Sequence, residues 1–138
     1  MEDAKNAEED LVERFRDYYV HSDHAVLREL EMRTLGADYG GNGYTDTTQV
    51  EHFVDLLRVG SDDRVLELGS GAGWPGVYIS KVSGAAVVIS DIPWEGVSWG
   101  LGRARADGID AIAVACSGIA LPFKDAMFDG VTHSDVLC

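Results

Sequence analysis

The chain has 138 residues, and its 24 acidic and 11 basic side chains give a formal net charge of −13. The hydrophobic share of 46% and the charged share of 25% are those of an ordinary folded domain, which excludes a disordered or collagen-like chain. So acidic a composition excludes non-specific binding to nucleic acid or to an anionic membrane, because both need a clustered basic face. No run of 18 apolar residues occurs, and residues 1–5 are acidic where a signal peptide is basic, so we predict a cytoplasmic protein.

Two cysteines are present, Cys116 and Cys138. Their number and separation fit neither a disulfide framework nor the paired spacing of a metal site. The four histidines also lack metal-ligand spacing. The sequence therefore predicts free thiols and no bound metal.

Residues 8–35 carry apolar side chains at steps of three and four, which is the period of an amphipathic helix. The pattern is interrupted at residues 21–23 and predicts two helices, the second capped by Ser22 or Asp23. The first helix has the apolar residues Leu11, Val12, Phe15, Tyr18 and Tyr19, and the second is expected to bury Val26, Leu27 and Leu30.

Residues 36–44 include four glycines and one asparagine, a composition that predicts a mobile loop. A third helix is expected to follow, because Asp46 can cap its first turn and Gln49 or Glu51 can complete a capping box. We interpret residues 1–62 as a helical segment that covers the site formed by the rest of the chain.

From residue 64 onward, short apolar runs alternate with stretches of helix length. The runs at 64–68, 86–90, 111–115 and 130–132 predict buried strands, with helices at 75–83 and 94–107 between them. This alternation is typical of an α/β fold with a doubly wound parallel sheet and right-handed crossovers. We therefore predict a domain over residues 63–138 with a ligand site at the carboxyl ends of its strands.

A glycine-rich turn follows the first strand, with Gly69, Gly71 and Gly73 at alternate positions. Glycine there permits a tight turn and lets a ligand approach the backbone without interference from a Cβ atom. Residues 71–76 match the G-x-G-x-x-G string of dinucleotide-binding folds, which by itself does not choose a cofactor. The alternative, a glycine turn with no ligand, is less consistent with a strand before it and a helix after it.

Two carboxylates lie near this turn. Glu67, in the strand two residues before the first glycine, is expected to be buried and to need a partner, which an ammonium group on the ligand would supply. Asp91 ends the next strand, where a carboxylate can accept hydrogen bonds from both hydroxyls of a ribose. Together they favour a cofactor that has an amino-acid part and a nucleoside part.

Four motifs, from the first predicted strand onward, occur in a characteristic order and spacing. They are VLELGSGAG at 65–73, Asp91, LPF at 121–123 and FDGV at 128–131. In this combination the chain resembles the class I S-adenosylmethionine-dependent methyltransferases, especially those with small-molecule substrates. The family has a Rossmann-like sheet of seven strands in the order 3-2-1-4-5-7-6, of which we find only the first four. We therefore expect a chain truncated at its C-terminus, with strand order 3-2-1-4 and an exposed edge on the fourth strand that favours pairing with another chain.

The resemblance implies roles for individual residues. The turn would surround the amino-acid part of S-adenosyl-L-methionine, with Glu67 near its ammonium group, Asp91 on the ribose and Ile92 against the adenine. The family commonly has aspartate at the position of Ser117, so adenine recognition by Ser117 and Gly118 is expected to be looser. The residues assigned to the cofactor are Glu67, Gly69, Ser70, Gly71, Gly73, Asp91, Ile92, Ser117, Gly118 and Ser134.

Methyl transfer requires alignment of the acceptor more than it requires catalytic side chains. His133, at the end of the fourth strand, is a candidate base, although an ordinary strand-end histidine is the simpler interpretation. Tyr44 in the loop and Tyr18 in the first helix are candidate contacts of a small-molecule acceptor, although a tyrosine at helical spacing often belongs to the core.

Two other classes of function stay open on the sequence alone. One is an NAD(P)-dependent oxidoreductase, against which Glu67 and the LPF segment argue. The other is a truncated, non-catalytic remnant that binds the cofactor, or nothing, and acts through a partner.

Overall fold

The structure is a computed structural model, and it describes residues 2–136 without the side chains of residues 2–8 and 11. Helices and strands alternate from residue 64 onward, as the apolar runs predict. The helices are α1 (Glu2–His21), α2 (Ala25–Thr34), α3 (Thr47–Leu57), α4 (Gly76–Ser83) and α5 (Trp94–Ala106). The strands are β1 (Arg64–Leu68), β2 (Ala86–Asp91), β3 (Ala111–Ala115) and β4 (Gly130–His133).

The four strands form one parallel sheet in the order β3-β2-β1-β4. Glu67 is in register with Ile89 of β2 on one side and with Thr132 of β4 on the other. This confirms the predicted Rossmann-like fold and its strand order. Among the described residues β4 pairs only with β1, so its other edge carries backbone groups without a strand partner.

Helices α4 and α5 pack on the sheet, and α3 and α1 pack in turn on α4 and α5 respectively. The core between them includes fully buried β-branched side chains from β1, β2, α4 and α5. Its central members are Val65, Val77, Ile79, Val87, Ile89 and Val97. In β3 no residue is buried and Val131 of β4 is 53% exposed, so the prediction of buried strands is wrong for these two, which lie at the edges of the sheet. Because the crossover helices return each strand to the same edge, the turn after β1 and the carboxyl end of β2 lie side by side.

Helix α2 differs from expectation on its apolar side. Val26 and Leu30 are more than half exposed, Leu27 is 36% exposed, and the helix has no buried residue, so the prediction of a buried stripe is wrong. The physical reason is that no element in residues 2–136 packs on that stripe, while α2 is attached through polar contacts such as Arg28 with Asp38 at 2.7 Å.

The cap of α2 also differs from expectation. His24 is the N-cap, and its Nδ1 accepts a hydrogen bond from the backbone N–H of Val26 at 3.3 Å. Ser22, one of the two predicted caps, instead donates its hydroxyl hydrogen to the carbonyl of Tyr18 at the end of α1. The cap of α3 is as predicted, because Asp46 and Gln49 form a reciprocal capping box.

The glycine-rich loop has no regular structure, as predicted, but its first half is anchored in the core. Tyr39 is only 4% exposed, donates its hydroxyl hydrogen to Asp107 and accepts a hydrogen bond from Lys81 Nζ at 2.9 Å. Tyr44, near the other end, is 94% exposed. The prediction of a mobile loop is therefore wrong for the first half of this segment, which is packed in the core.

Two glycines of α5 provide a matched test of this packing. A Cβ atom at Gly100 would lie 2.7 Å from the carbonyl oxygen of Ala72, whereas one at Gly102 would meet no atom within 4 Å. We expect Gly100→Ala to lower the free energy of unfolding by about 1–3 kcal/mol through overpacking. Gly102→Ala should raise it by about 0.5–1 kcal/mol, since alanine favours the helix. Urea denaturation measures both, and changes of the same sign would contradict the packing of α5 on the turn.

Candidate cofactor site at the carboxyl ends of the strands

The turn after β1 needs its glycines for backbone reasons. Gly69, Gly71 and Gly73 have φ angles of 65°, 52° and 101°, which are unfavourable for any residue with a side chain. The turn is attached to β2, since the N–H of Ser70 donates to the carbonyl of Ser90 at 3.0 Å. The result is a tight backbone turn at the end of β1. Side chains of this chain already lie close to it, because a Cβ atom at Gly69 would meet Val136 and one at Gly71 would meet the Tyr19 hydroxyl.

Glu67 is fully buried beneath this turn. Its Oε2 accepts a hydrogen bond from the Thr132 hydroxyl, but its Oε1 has no partner among the described residues. Burial raises the pKa of Glu67 to about 8, so the carboxyl group holds a proton at neutral pH unless a cation lies beside it. The hydroxyl of Ser70 is the other buried oxygen at the turn without a described partner. Unsatisfied buried polar atoms are costly, and two at one turn indicate a place for a polar ligand.

Asp91 ends β2 and joins it to the turn. Its Oδ2 accepts the N–H of Gly71 and its Oδ1 accepts the N–H of Ile92, both at 2.7 Å. Burial is the main cause that raises the pKa of this carboxyl group. Each oxygen retains a further lone pair, so two hydroxyl groups of a ligand can still be bound. Ile92 itself is 41% exposed directly beside this carboxylate, where a flat ring can rest on it.

The segment after β3 begins next to Asp91, because the N–H of Cys116 donates to the Asp91 carbonyl at 2.9 Å. Ser117 and Gly118 follow immediately, and a Cβ atom at Gly118 would meet no atom within 4 Å. The structure thus brings the carboxyl ends of β1, β2 and β3 together at one edge of the sheet. Cys116 is a free thiol, as predicted, whereas Cys138 lies outside the described residues.

The carboxyl end of β4 is connected to the glycine-rich loop. The hydroxyls of Ser134 and Thr45 lie 2.5 Å apart, and the N–H of Tyr44 donates to Asp135 at 3.2 Å. His133 is exposed and in register with Leu68, so it stands at the mouth of the site beyond the glycine turn. The loop and the end of β4 therefore form one wall, which the sequence could only suggest.

Tyr19 contacts the turn, although sequence reasoning chose its neighbour. It is 8% exposed, and a Cβ atom at Gly71 would lie 2.6 Å from its hydroxyl oxygen. Burial and the nearby charge of Asp91 raise the pKa of Tyr19. Tyr18 is 40% exposed and touches the Tyr19 ring edge-on. Helical periodicity places both tyrosines on one stripe, so only the packing of α1 on α5 could separate them.

Within residues 2–136 no group of three histidine, cysteine, aspartate or glutamate side chains could hold a metal ion. None of the helices described is long and apolar enough to cross a membrane.

A parallel sheet with a glycine turn after β1 and a carboxylate after β2 defines a Rossmann-like cofactor-binding domain. Comparison with known proteins agrees. The protein 24-methylenesterol C-methyltransferase 2 of Oryza sativa subsp. japonica is 32% identical over 102 residues, which are 71% of this chain and 28% of that protein. The ubiquinone/menaquinone biosynthesis C-methyltransferase UbiE of Xylella fastidiosa (strain M12) is 38% identical over 87 residues. The chain is thus similar to C-methyltransferases, and this similarity supports an S-adenosylmethionine-dependent methyltransferase.

Solved structures of other proteins have a similar fold. The geranyl diphosphate C-methyltransferase of Streptomyces coelicolor A3(2), in complex with Mg²⁺, geranyl diphosphate and S-adenosyl-L-homocysteine, superposes with a TM-score of 0.63 at 17% identity, over 88% of this chain and 52% of that one. No protein-family model matches the chain. The chain spans 28% and 34% of the length of the two curated relatives.

Proposed function

We propose that this chain forms the cofactor-binding part of an S-adenosylmethionine-dependent methyltransferase with a small-molecule acceptor. The observation that carries the proposal is the buried carboxyl group of Glu67, whose Oε1 has no partner among the described residues and which lies under a glycine turn. An ammonium group is the natural partner of such a carboxyl group, and S-adenosylmethionine offers one. A nicotinamide dinucleotide has no such group to present to the turn.

The residues present fit that cofactor. The ammonium group would be held by Glu67, and Ser70 supplies a second unpartnered polar atom at the turn. The ribose hydroxyls would be held by the remaining lone pairs of Asp91, beside the exposed Ile92 for the adenine face. The sequence-based assignments to Ser117 and Gly118 for the adenine, and to Ser134, remain part of the proposal. Bound there, the cofactor would supply a methyl group activated on a sulfonium.

This chain's own contribution to the reaction is mainly to position and enclose the acceptor. An in-line displacement needs alignment and the exclusion of water, and helices α1 and α3 with the glycine-rich loop are the elements available to provide them. His133, exposed at the end of β4, stays the candidate base that would take the proton released by the methylated acceptor. Tyr18 and Tyr44 stay predictions as acceptor contacts, and Tyr19 is better placed than Tyr18.

The printed names of the two curated relatives describe C-methyltransferases, and this supports a carbon atom as the methylated position. The division into a helical segment at 1–62 and a cofactor domain at 63–138 is kept as part of the proposal. The cytoplasmic location, the lack of nucleic-acid binding and pairing through the β4 edge stay predictions.

Isothermal titration calorimetry tests the proposed function directly. We expect S-adenosylhomocysteine to bind the chain with one site and NAD⁺ to bind more weakly by about tenfold or more, since only the former presents an ammonium group to Glu67. A preference for NAD⁺ would contradict the proposal and restore the oxidoreductase. Binding of neither ligand would favour the non-catalytic alternative.

A further inference from the structure

A cavity lies beside α5. It has a volume of about 370 Å³ and lies between α2, the start of the glycine-rich loop and the second half of α5. Its walls include two arginines, a tryptophan and a serine, and no residue of the candidate cofactor site belongs to them. The lining residues include Arg28, Asp38, Ser98, Trp99, Gly102 and Arg103.

Arg103 is the unusual member of this cavity. Its side chain is only 8% exposed, so the charge has been removed almost entirely from water. The Nη1 atom donates to the carbonyl of Asp38 and lies 3.5 Å from Glu31 Oε2. The Nε and Nη2 atoms are buried and have no hydrogen-bond partner among the described residues. Burial lowers the pKa of Arg103, as expected for a cation with incomplete compensation.

The two unpartnered atoms form one edge of the guanidinium group. In arginine, Nε–H and Nη2–H point in parallel, and this pair of donors matches the two oxygens of a carboxylate or a phosphate. The Trp99 ring stacks on the guanidinium face with its centroid 4.0 Å from Cζ, so it fixes the plane of the group and leaves the edge for hydrogen bonds. Trp99 therefore holds the guanidinium group in place, and no described residue accepts a hydrogen bond from its buried Nε and Nη2 atoms.

We propose that this cavity, which we call the α2–α5 cavity, binds a small oxyanion, either a carboxylate or a phosphate group, on the Nε and Nη2 edge of Arg103. The site is distinct from the proposed cofactor site and adds a second ligand to the protein. Its walls come from the segment 23–39 and from α5, so a bound anion would fasten the N-terminal helices to the helix that follows Asp91.

The acidic residues around the cavity do not exclude an anion, because most are already paired. Asp38 is bound by Arg28 at 2.7 Å, and Asp107 lies 3.5 Å from Lys81 and accepts from Tyr39. Glu31 accepts a hydrogen bond from the N–H of Gly40 and forms an ion pair with Arg103. Asp23 is the remaining carboxylate of the wall, at an exposed position. Its charge favours a compact anion over a highly charged one.

Room for the anion exists on the α5 side. Ser98 and Gly102 are exposed and line the cavity, and a Cβ atom at Gly102 would meet no atom within 4 Å. A larger side chain at Gly102 can therefore fill the cavity without a clash at its first atom. This gives a blocking variant that leaves Arg103 and its existing contacts unchanged.

The test is thermal unfolding of the full chain with sodium phosphate, with sodium acetate, and with sodium chloride at matched ionic strength. Binding raises Tm by about 4 °C at ten times Kd for a domain of this size, and sodium chloride should not reproduce the rise. A rise with phosphate alone assigns a phosphate ligand, and a rise with acetate alone assigns a carboxylate. A rise with neither beyond the chloride control would overturn the proposal.

Three variants show whether a rise comes from this cavity. Gly102→Leu fills the space, and Arg103→Lys removes the pair of parallel donors while it keeps the charge. Each variant should abolish the anion-dependent rise in Tm or weaken the apparent affinity for the anion by about tenfold. Arg105→Lys, exposed two residues further along α5, is the control and should behave like the wild type. Should Arg103→Lys fail to fold, Gly102→Leu decides alone. An undiminished rise in Gly102→Leu, with S-adenosylhomocysteine binding retained as evidence of folding, would assign the anion elsewhere and refute the proposal.

Discussion

The variant Glu67→Gln is expected to remove a large pH-dependent loss of stability from this protein. Glu67 is fully buried, and burial raises its pKa from 4.5 to about 8. Glutamine has nearly the same shape, can still accept from the Thr132 hydroxyl through its amide oxygen, and has no charge to desolvate at any pH.

The direction of the effect follows from proton linkage. Below pH 4.5 the group is protonated in both the folded and the unfolded chain, so its ionisation costs the fold nothing. Between pH 4.5 and 8 only the unfolded chain releases the proton, so the free energy of unfolding falls by up to about 1.4 kcal/mol per pH unit. Above pH 8 both states are ionised and the loss is complete. Urea denaturation at several pH values between 5 and 8 should show this slope in the wild type and not in Glu67→Gln.

A change at the protein surface provides the control for Glu67→Gln. Glu13 is exposed on α1, and Glu13→Gln makes the same chemical change without removing a buried carboxyl group. Its stability should follow the wild-type pH dependence. Equal slopes in the wild type and Glu67→Gln would mean that Glu67 is ionised in the fold at neutral pH.

The same residue links stability to the cofactor. An ammonium group beside Glu67 favours the ionised carboxylate, so binding at pH 7 should release about one proton from the wild type. Calorimetry in buffers of different ionisation enthalpy measures this release. Glu67→Gln should bind S-adenosylhomocysteine about tenfold or more weakly and release no proton, since the charge-assisted hydrogen bond is lost.

The second large effect is expected at Asp91. We expect Asp91→Ala to weaken S-adenosylhomocysteine binding by about 1–3 kcal/mol, because the ribose hydroxyls lose a charged acceptor. The variant also removes the hydrogen bonds from the N–H groups of Gly71 and Ile92, so part of the loss would come from a looser turn. Calorimetric titration of the cofactor analogue measures the sum.

Asp91→Asn separates these two contributions. Its one amide oxygen can keep a backbone hydrogen bond but cannot serve all acceptor roles of the carboxylate, so its affinity should lie between those of the wild type and Asp91→Ala. Asp110→Asn, an exposed position before β3, should bind like the wild type. Unchanged affinity in Asp91→Ala would discredit the ribose assignment.

The strands could be read from the sequence because their signals are local, whereas their order in the sheet was implied by the family resemblance. Apolar runs such as 86–90 are bounded by polar or glycine residues, and the alternation with helical lengths leaves a parallel, right-handed arrangement as the simplest topology. The position of Glu67 and Asp91 at the turn follows from the same topology, since carboxyl ends of neighbouring parallel strands share one edge.

The N-terminal helices could not be read in the same way. Val26 and Leu30 have the spacing of a buried stripe, yet they face no partner among the described residues, because periodicity predicts an apolar side without saying what covers it. Tyr18 and Tyr19 are adjacent, and only the docking of α1 on α5 places Tyr19 against Gly71 and Gly96.

The sequence by itself therefore determined the sheet, the glycine turn and the two carboxylates of the proposed cofactor site, since each depends on contacts within one β-α-β unit. Tertiary structure alone decided that Asp91 is tied to the turn, and that one oxygen of Glu67 and the buried Nε and Nη2 atoms of Arg103 have no partner among the described residues. The physical reason is that hydrogen-bond partners and burial come from residues distant in the chain. Composition and spacing do not predict which distant residues come into contact.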